Sequence, residues 1–157
     1  MSVDVTERVG FAPDEIETGA HTRAVRLKWV VVVDKSLPAG RAANAVACVT
    51  AATATAVDGL LGPAARDRSG TDHPGIPWIG CTVLAASAEE LGAIRAKAGS
   101  SAEIYVADMP AIAQSIRVYD DYLDHVAGVD DLPYVAVSIV GPRNQVDRLV
   151  RRLQLMP

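Results

Sequence analysis

Several residues with chemical potential crowd into one short stretch. Asp34, Lys35 and Ser36 are followed by a Leu-Pro-Ala turn, then by Gly40 and Arg41, with Asn44 one helical turn further on. The apolar run before Asp34 reads as a buried strand, so the fold would hold these residues at its rim. Crevices at strand ends are the usual ligand location in open α/β sheets. Gly40 and Arg41 fall at the start of the next helix, where backbone N–H groups and the helix dipole favour anions. Arg41 can add a bidentate grip on carboxylate or phosphate. Asn44 sits among alanines although Asn is a poor helix former, so it either holds the neighbouring loop or faces a ligand. The plainer alternatives are a solvated turn and a surface arginine. The spacing matches neither a P-loop nor a Rossmann fingerprint.

Asp108 follows the third predicted strand. A carboxylate there could act as a base or orient a partner, or could cap a helix or form a salt bridge. His73, in a long loop, could move protons near neutral pH or simply be solvated. His21 and His125 look uninvolved. No two histidines have metal-ligand spacing, so no metal is expected, and no motif calls for a cofactor. Arg143, Arg148, Arg151 and Arg152 could meet phosphates. A solvated helix face partly paired with Asp147 is the alternative.

The elements that must position these groups follow from periodicity. Leu27–Val33 is nearly all apolar, which predicts a strand buried on both faces. A helix follows from about 40 to 60, ended by Asp58-Gly59 and Gly62-Pro63. Residues 62–77 form a long connection, expected to lie over the rim as a lid. A second strand spans Trp78–Ala85. Ser87 and Glu90 make a capping box for a helix that buries Leu91, Ile94 and Ala98. The third strand is Glu103–Ala107, broken by Asp108-Met109-Pro110. Helix in two pieces is expected from 111 to 126, with Ile112, Ile116, Tyr119 and Leu123 inward. The fourth strand is Tyr134–Val140. After Gly141-Pro142, Asn144 can cap a last helix with the stripe Val146, Leu149, Val150 and Leu153. Four βα units predict an α/β domain with a largely parallel sheet and helices on its faces.

The chain has 157 residues, which suits one domain. Residues 1–26 read as an acidic tail and 27–157 as the domain. Half the residues are hydrophobic but only 4% are aromatic, so aliphatics and alanine must fill the core. The net charge of −4 lacks the basic footprint of a nucleic-acid binder. Excess Arg and Ala suggest a GC-rich bacterial genome. Cys48 and Cys81 have apolar neighbours and no Cys-x-x-Cys spacing, which predicts buried thiols in a reduced cytoplasm. Neither a signal peptide nor an apolar run long enough for a membrane span is visible.

Three segments together resemble the peptidyl-tRNA hydrolase II superfamily. They are Val31-Val-Val-Asp-Lys-Ser-Leu-Pro-Ala-Gly-Arg-Ala-Ala-Asn44, the acid at Asp108, and Val140-Gly-Pro-Arg-Asn-Gln-Val-Asp-Arg-Leu149. More closely the chain resembles a bacterial branch of that superfamily, domain-of-unknown-function family two thousand, over about residues 27–156. The resemblance implies a three-layer sandwich with a four-stranded mixed sheet, the first and third strands side by side, and a homodimer. An acidic tail in need of a surface also suits a dimer. Arg41 keeps a positive charge where the hydrolases place lysine, and Asp108 matches their acid. The hydroxyl and amide that follow the acid in the hydrolases give way to Met109-Pro110-Ala111 and a helical insert. That departure favours a binding protein that takes a small anionic ligand through Asp34, Gly40, Arg41, Asn44 and His73. The alternative is a hydrolase of peptidyl-tRNA or a related ester, with Asp108 and Lys35 catalytic and tRNA as partner.

Overall fold

Four consecutive valines, Val30–Val33, have no exposed surface. A β-branched strand with apolar side chains on both faces needs a covering layer against each, and the rest of the chain supplies those layers. In the computed structural model, which describes residues 8–157, the strands are β1 (Leu27–Asp34), the short β2 (Ala65–Arg66) and β3 (Asp72–His73), β4 (Thr82–Ala86), β5 (Tyr105–Pro110), β6 (Tyr134–Pro142) and β7 (Gln154–Leu155). The helices are α1 (Ala39–Ala56), α2 (Ala88–Gly99), α3 (Tyr119–Ala127) and α4 (Arg143–Val150). The main sheet is mixed and has the order β5-β6-β1-β4-β7. β4 lies parallel to β1, while β6 is antiparallel to both β1 and β5.

The sheet therefore has five strands, not the four expected. Leu153 does not continue the last helix. The chain leaves α4 after Val150 and turns back, so that Gln154 and Leu155 pair with Ala85 and Leu84. Likewise β6 lies between β1 and β5, which are parallel to each other but not adjacent.

One face of the sheet packs on α1. Trp29, Val31 and Val33 meet Ala42, Ala45 and Val49 there, together with Ala107 and Met109 of β5. Alanines let the helix sit close to the sheet, so small side chains suffice to fill the layer. The other face holds Val30, Val32, Val137 and Ile139 against Leu91, Ile94 and Ala98 of α2 and Val146 and Val150 of α4. Two buried polar residues, Ser138 and Thr53, sit on the α1 side. The Trp29 indole N–H donates to Ser138 Oγ at 2.8 Å, and Thr53 Oγ1 lies 2.7 Å from Ser138 Oγ and donates to the Val49 carbonyl at 2.7 Å.

Several local expectations change. α1 stops at Ala56, and Asp108 lies inside β5. Pro142, not Asn144, precedes α4 as its N-cap. Arg143 is not on a solvated face: it donates to the carbonyls of Val25 and Thr22. Asp147 pairs with Lys28 at 2.5 Å instead of with the arginines of its own helix. Tyr119 and Leu123 of the insert point outward, 72% and 50% exposed. Of the tail, Asp4 and Glu7 lie outside the described residues. From residue 8 on, the tail rests on its own domain, with Phe11 buried beside Trp78 at 4.9 Å between ring centroids and Arg26 paired with Glu15. The described part of the tail therefore gives no argument for a partner subunit.

Ser138→Ala leaves the buried Trp29 N–H without its acceptor. Urea unfolding should show a loss of about 1–3 kcal/mol, well above that of Ser→Ala at exposed Ser100.

Candidate functional site

β1, β4 and β5 run in the same direction, so their carboxyl ends share one end of the sheet, where α1 and α2 begin. At that rim the Lys35 N–H donates to the Ala86 carbonyl at 2.9 Å, which extends the β1–β4 pairing by one step. Asp34 Oδ1 accepts from the Ser36 N–H at 2.9 Å and from the Ser36 hydroxyl at 2.7 Å. These two side chains shape the turn into α1 and are engaged with each other.

The two helix starts at this rim differ. α2 has its capping box: Ser87 accepts from the Glu90 N–H, and Glu90 accepts from the Ser87 N–H. The Glu90 carboxyl is held below its ordinary value, first by the Ser87 N–H, then by the Ser87 hydroxyl, with a smaller pull from Lys35. α1 starts at Pro38 with no side-chain cap, and its first helical bond runs from the Ala42 N–H to the Pro38 carbonyl. The N–H groups of its first turn thus lack intrahelical acceptors. A methyl group added at Gly40 would meet nothing within 4 Å, so this end is open. Lys35 and Arg41 are exposed, and neither forms an ion pair among the described residues.

The expected convergence of Asp108 with Arg41 and Asn44 does not form. Along β5, Ala107 and Met109 face α1, so strand alternation turns Asp108 toward α2. There its Oδ2 accepts from Arg95 Nε at 2.9 Å, and the Arg95 guanidinium lies 5.8 Å from the Tyr134 ring centre. β6 also separates Asp108 from β1, a lateral step of two strands or roughly 10 Å. Asp34, in register with the α2-facing Val30 and Val32, shares that face. Asn44 does find a partner across the α1 face, and sequence reasoning missed it. Gln114 Nε2 lies 2.9 Å from the Arg41 carbonyl and 3.4 Å from Asn44 Oδ1. Gln114 ends a short 3-10 turn directly after β5. An amide is therefore present past Asp108, six residues on. It is the one Asn or Gln between Asp108 and Asn144, a signal the sequence did offer.

The connection 62–77 is a hairpin, β2 with β3, and not a lid over the rim. Its base is fixed at the far end of α1, where the Gly62 N–H donates to the Ile76 carbonyl at 2.8 Å. An 18-residue helix puts about 27 Å between that base and the rim. A Cβ on Gly75 would sit 1.8 Å from the Gly62 carbonyl oxygen, so the crossing requires glycine. His73 is engaged inside the hairpin, its Nε2 3.3 Å from Asp67 Oδ2. Asp67 is the hub of the loop. The Ser69 hydroxyl, the Thr71 N–H and His73 together bring its carboxyl down to about 2.

A cleft of about 820 Å³ lies at the opposite end of the sheet, lined by Arg8, Phe11, Glu15, Arg26, Asp58 and Glu103 among others. Its two arginines are paired with Glu15 and Asp58. Among the described residues no group of three His, Cys, Asp or Glu is placed to hold a metal. No helix among them is long and apolar enough to cross a membrane. The cysteines are not buried as residues. Cys48 lies on the outer face of α1. Cys81 shows surface, but its sulfur turns inward toward the Val31 backbone, and burial pushes its thiol up to about 12.

The family model described as "Protein of unknown function (DUF2000)" matches residues 27–157, and the chain belongs to that family. Among curated proteins none matches. The fold is similar to the solved structure of a protein of unknown function, Atu0240 of Agrobacterium tumefaciens strain C58. The likeness has a TM-score of 0.77 at 16% identity and covers 84% of this chain and 98% of the other. At that identity the likeness speaks for the fold alone.

Two measurements check the local chemistry. A thiol reagent at mildly alkaline pH should label Cys48 quickly and Cys81 slowly, because a thiol raised to about 12 offers little thiolate. Acid should loosen the hairpin. A carboxyl lowered by folding from 3.8 to about 2 contributes fully above its ordinary value and loses that contribution as pH falls through about 2. Amide exchange at Ser69 and Thr71 should accelerate over that interval while the β1 amides stay protected.

Proposed function

We propose, from the premise of membership in this unknown-function family, that the chain binds a small anionic ligand at the strand-one/helix-one rim. The observation that carries the reading is the start of α1. Its first-turn N–H groups have no side-chain cap and space is open at Gly40, Arg41 lies within that turn and Lys35 in the turn before it, and neither cation forms an ion pair among the described residues. Unsatisfied donors and a positive dipole end favour an anion, and Arg41 offers two parallel donors to a phosphate or carboxylate. Gln114 holds the Arg41 carbonyl and so steadies the first turn from behind. Asp34 and Ser36 form the turn and do not contact the ligand. Asn44 acts through Gln114. The catalytic alternative finds less support, because Asp108 is committed to Arg95 on the α2 face of the sheet.

Titration with inorganic phosphate and with small carboxylates, followed by amide NMR, should move the Gly40 and Arg41 signals first. Arg41→Ala should weaken phosphate binding about tenfold, the equivalent of roughly 1.5 kcal/mol, and leave the fold intact. Shifts centred on the arginines of α4, with the α1 start unmoved, would sink the reading.

A further inference from the structure

The insert between β5 and β6 carries an uncovered apolar strip. α3 buries none of its residues fully, and Val118, Tyr119 and Leu123 are 55%, 72% and 50% exposed. The Tyr119 and Tyr122 rings lie 5.4 Å apart, an aromatic pair of the kind that anchors interfaces. Asp120, Asp121 and Asp124 share the helix with the strip, Asp130 and Asp131 follow in the turn after it, and none of the five forms an ion pair among the described residues. The segment from Arg117 to Asp131 holds one arginine and five aspartates. It therefore accounts for the whole formal net charge of −4, and the remainder of the chain is balanced.

The complement of this patch is on the same chain. Arg148, Arg151 and Arg152 are exposed without ion pairs among the described residues, and Leu155 beside them is 69% exposed. The insert leaves and re-enters the sheet at the carboxyl end of β5, on one edge. β7 is the other edge, and because Gln154 pairs with Ala85, Arg151 and Arg152 lie past the end of β4 at that same end of the sheet. We propose that a second copy of this chain docks here, with the acidic α3 strip of each copy on the basic Arg151–Leu155 segment of the other.

The charges choose this pairing. Two α3 strips face to face would crowd ten aspartates, which like-charge repulsion disfavours. Patches on opposite edges but at one end are exchanged by a two-fold rotation, so the contact closes as a dimer and forms twice. That doubling is what two small patches need to approach the roughly 800 Å² per partner of a stable interface.

The test is size-exclusion chromatography with light scattering on the full chain at micromolar concentration and low salt. The unaltered chain should be a dimer that dissociates as salt rises. Asp124→Lys/Asp130→Lys/Asp131→Lys in one variant, and Arg151→Glu/Arg152→Glu in another, should each weaken association about tenfold or more. All five residues are exposed, and circular dichroism checks that each variant is folded. Mixed together, the two variants should form a heterodimer, since each then meets an oppositely charged patch at both contacts. A monomeric unaltered chain overturns the proposal. So does a dimer that both reversals leave intact, or a mixture of the reversed variants that remains monomeric.

Discussion

The structure hangs on a run of hydroxyls through the α1-side core. The Trp29 indole can only donate, so Ser138 Oγ accepts from it. The Thr53 hydroxyl gives its proton to the Val49 carbonyl, so it must accept from Ser138. Proton direction is thereby fixed along the whole chain, from Trp29 to Ser138 to Thr53 to Val49, and every buried polar atom in it is satisfied. Those residues belong to β1, β6 and α1. The network ties the central strand pair to the helix at one depth and one rotation, and a slip of either strand would strand a buried donor. Apolar packing alone would tolerate alanines sliding past valines, since neither has a distinctive shape.

Fixing α1 in this way also fixes the rim. The helix runs from the carboxyl end of β1 back to the Asp58 corner, so its first turn stands at one end of the sheet and the hairpin base at the other. The same strand alternation that buries Ala107 and Met109 against α1 hands Asp108 to α2 and Arg95. The polar residues that lie close together in the sequence therefore split. Lys35, Gly40 and Arg41 stay at one open helix start. Asp34 serves the turn, His73 serves a distant hairpin, and Asp108 belongs to an ion pair on the opposite face.

What the sequence disclosed follows the same division. The strand at Leu27–Val33 and the capping box at Ser87 and Glu90 were legible because each rests on neighbouring residues. The βα alternation gave the fold class for the same reason. β7 was hidden because Leu153 completes a helical spacing that the chain abandons after Val150, and a two-residue strand has no period of its own. The position of β6 between β1 and β5 is a matter of sheet order, which periodicity does not encode. The outward turn of Tyr119 and Leu123 is not legible because an amphipathic stripe says which face is apolar, not what covers it. Gln114 is not legible from the resemblance because it stands six residues past Asp108, beyond the Met109-Pro110-Ala111 segment that replaces the hydrolases' hydroxyl and amide.

An uncapped helix start is not in itself distinctive here, since α3 and α4 also lack side-chain caps. The difference lies in what takes the place of a cap. At α4 the Arg143 N–H donates to the Arg26 carbonyl at 3.1 Å, so the tail satisfies the helix. At α3 two aspartates in the first turn answer the dipole. At α1 the first turn contains no acid and carries a cation, Arg41, within it. Losing an N-cap costs a helix about 1 kcal/mol, and a like charge at its positive end adds a smaller penalty to that. Helix stability alone does not favour Arg41 in that turn, and an anion bound at the proposed site would offset both penalties at once.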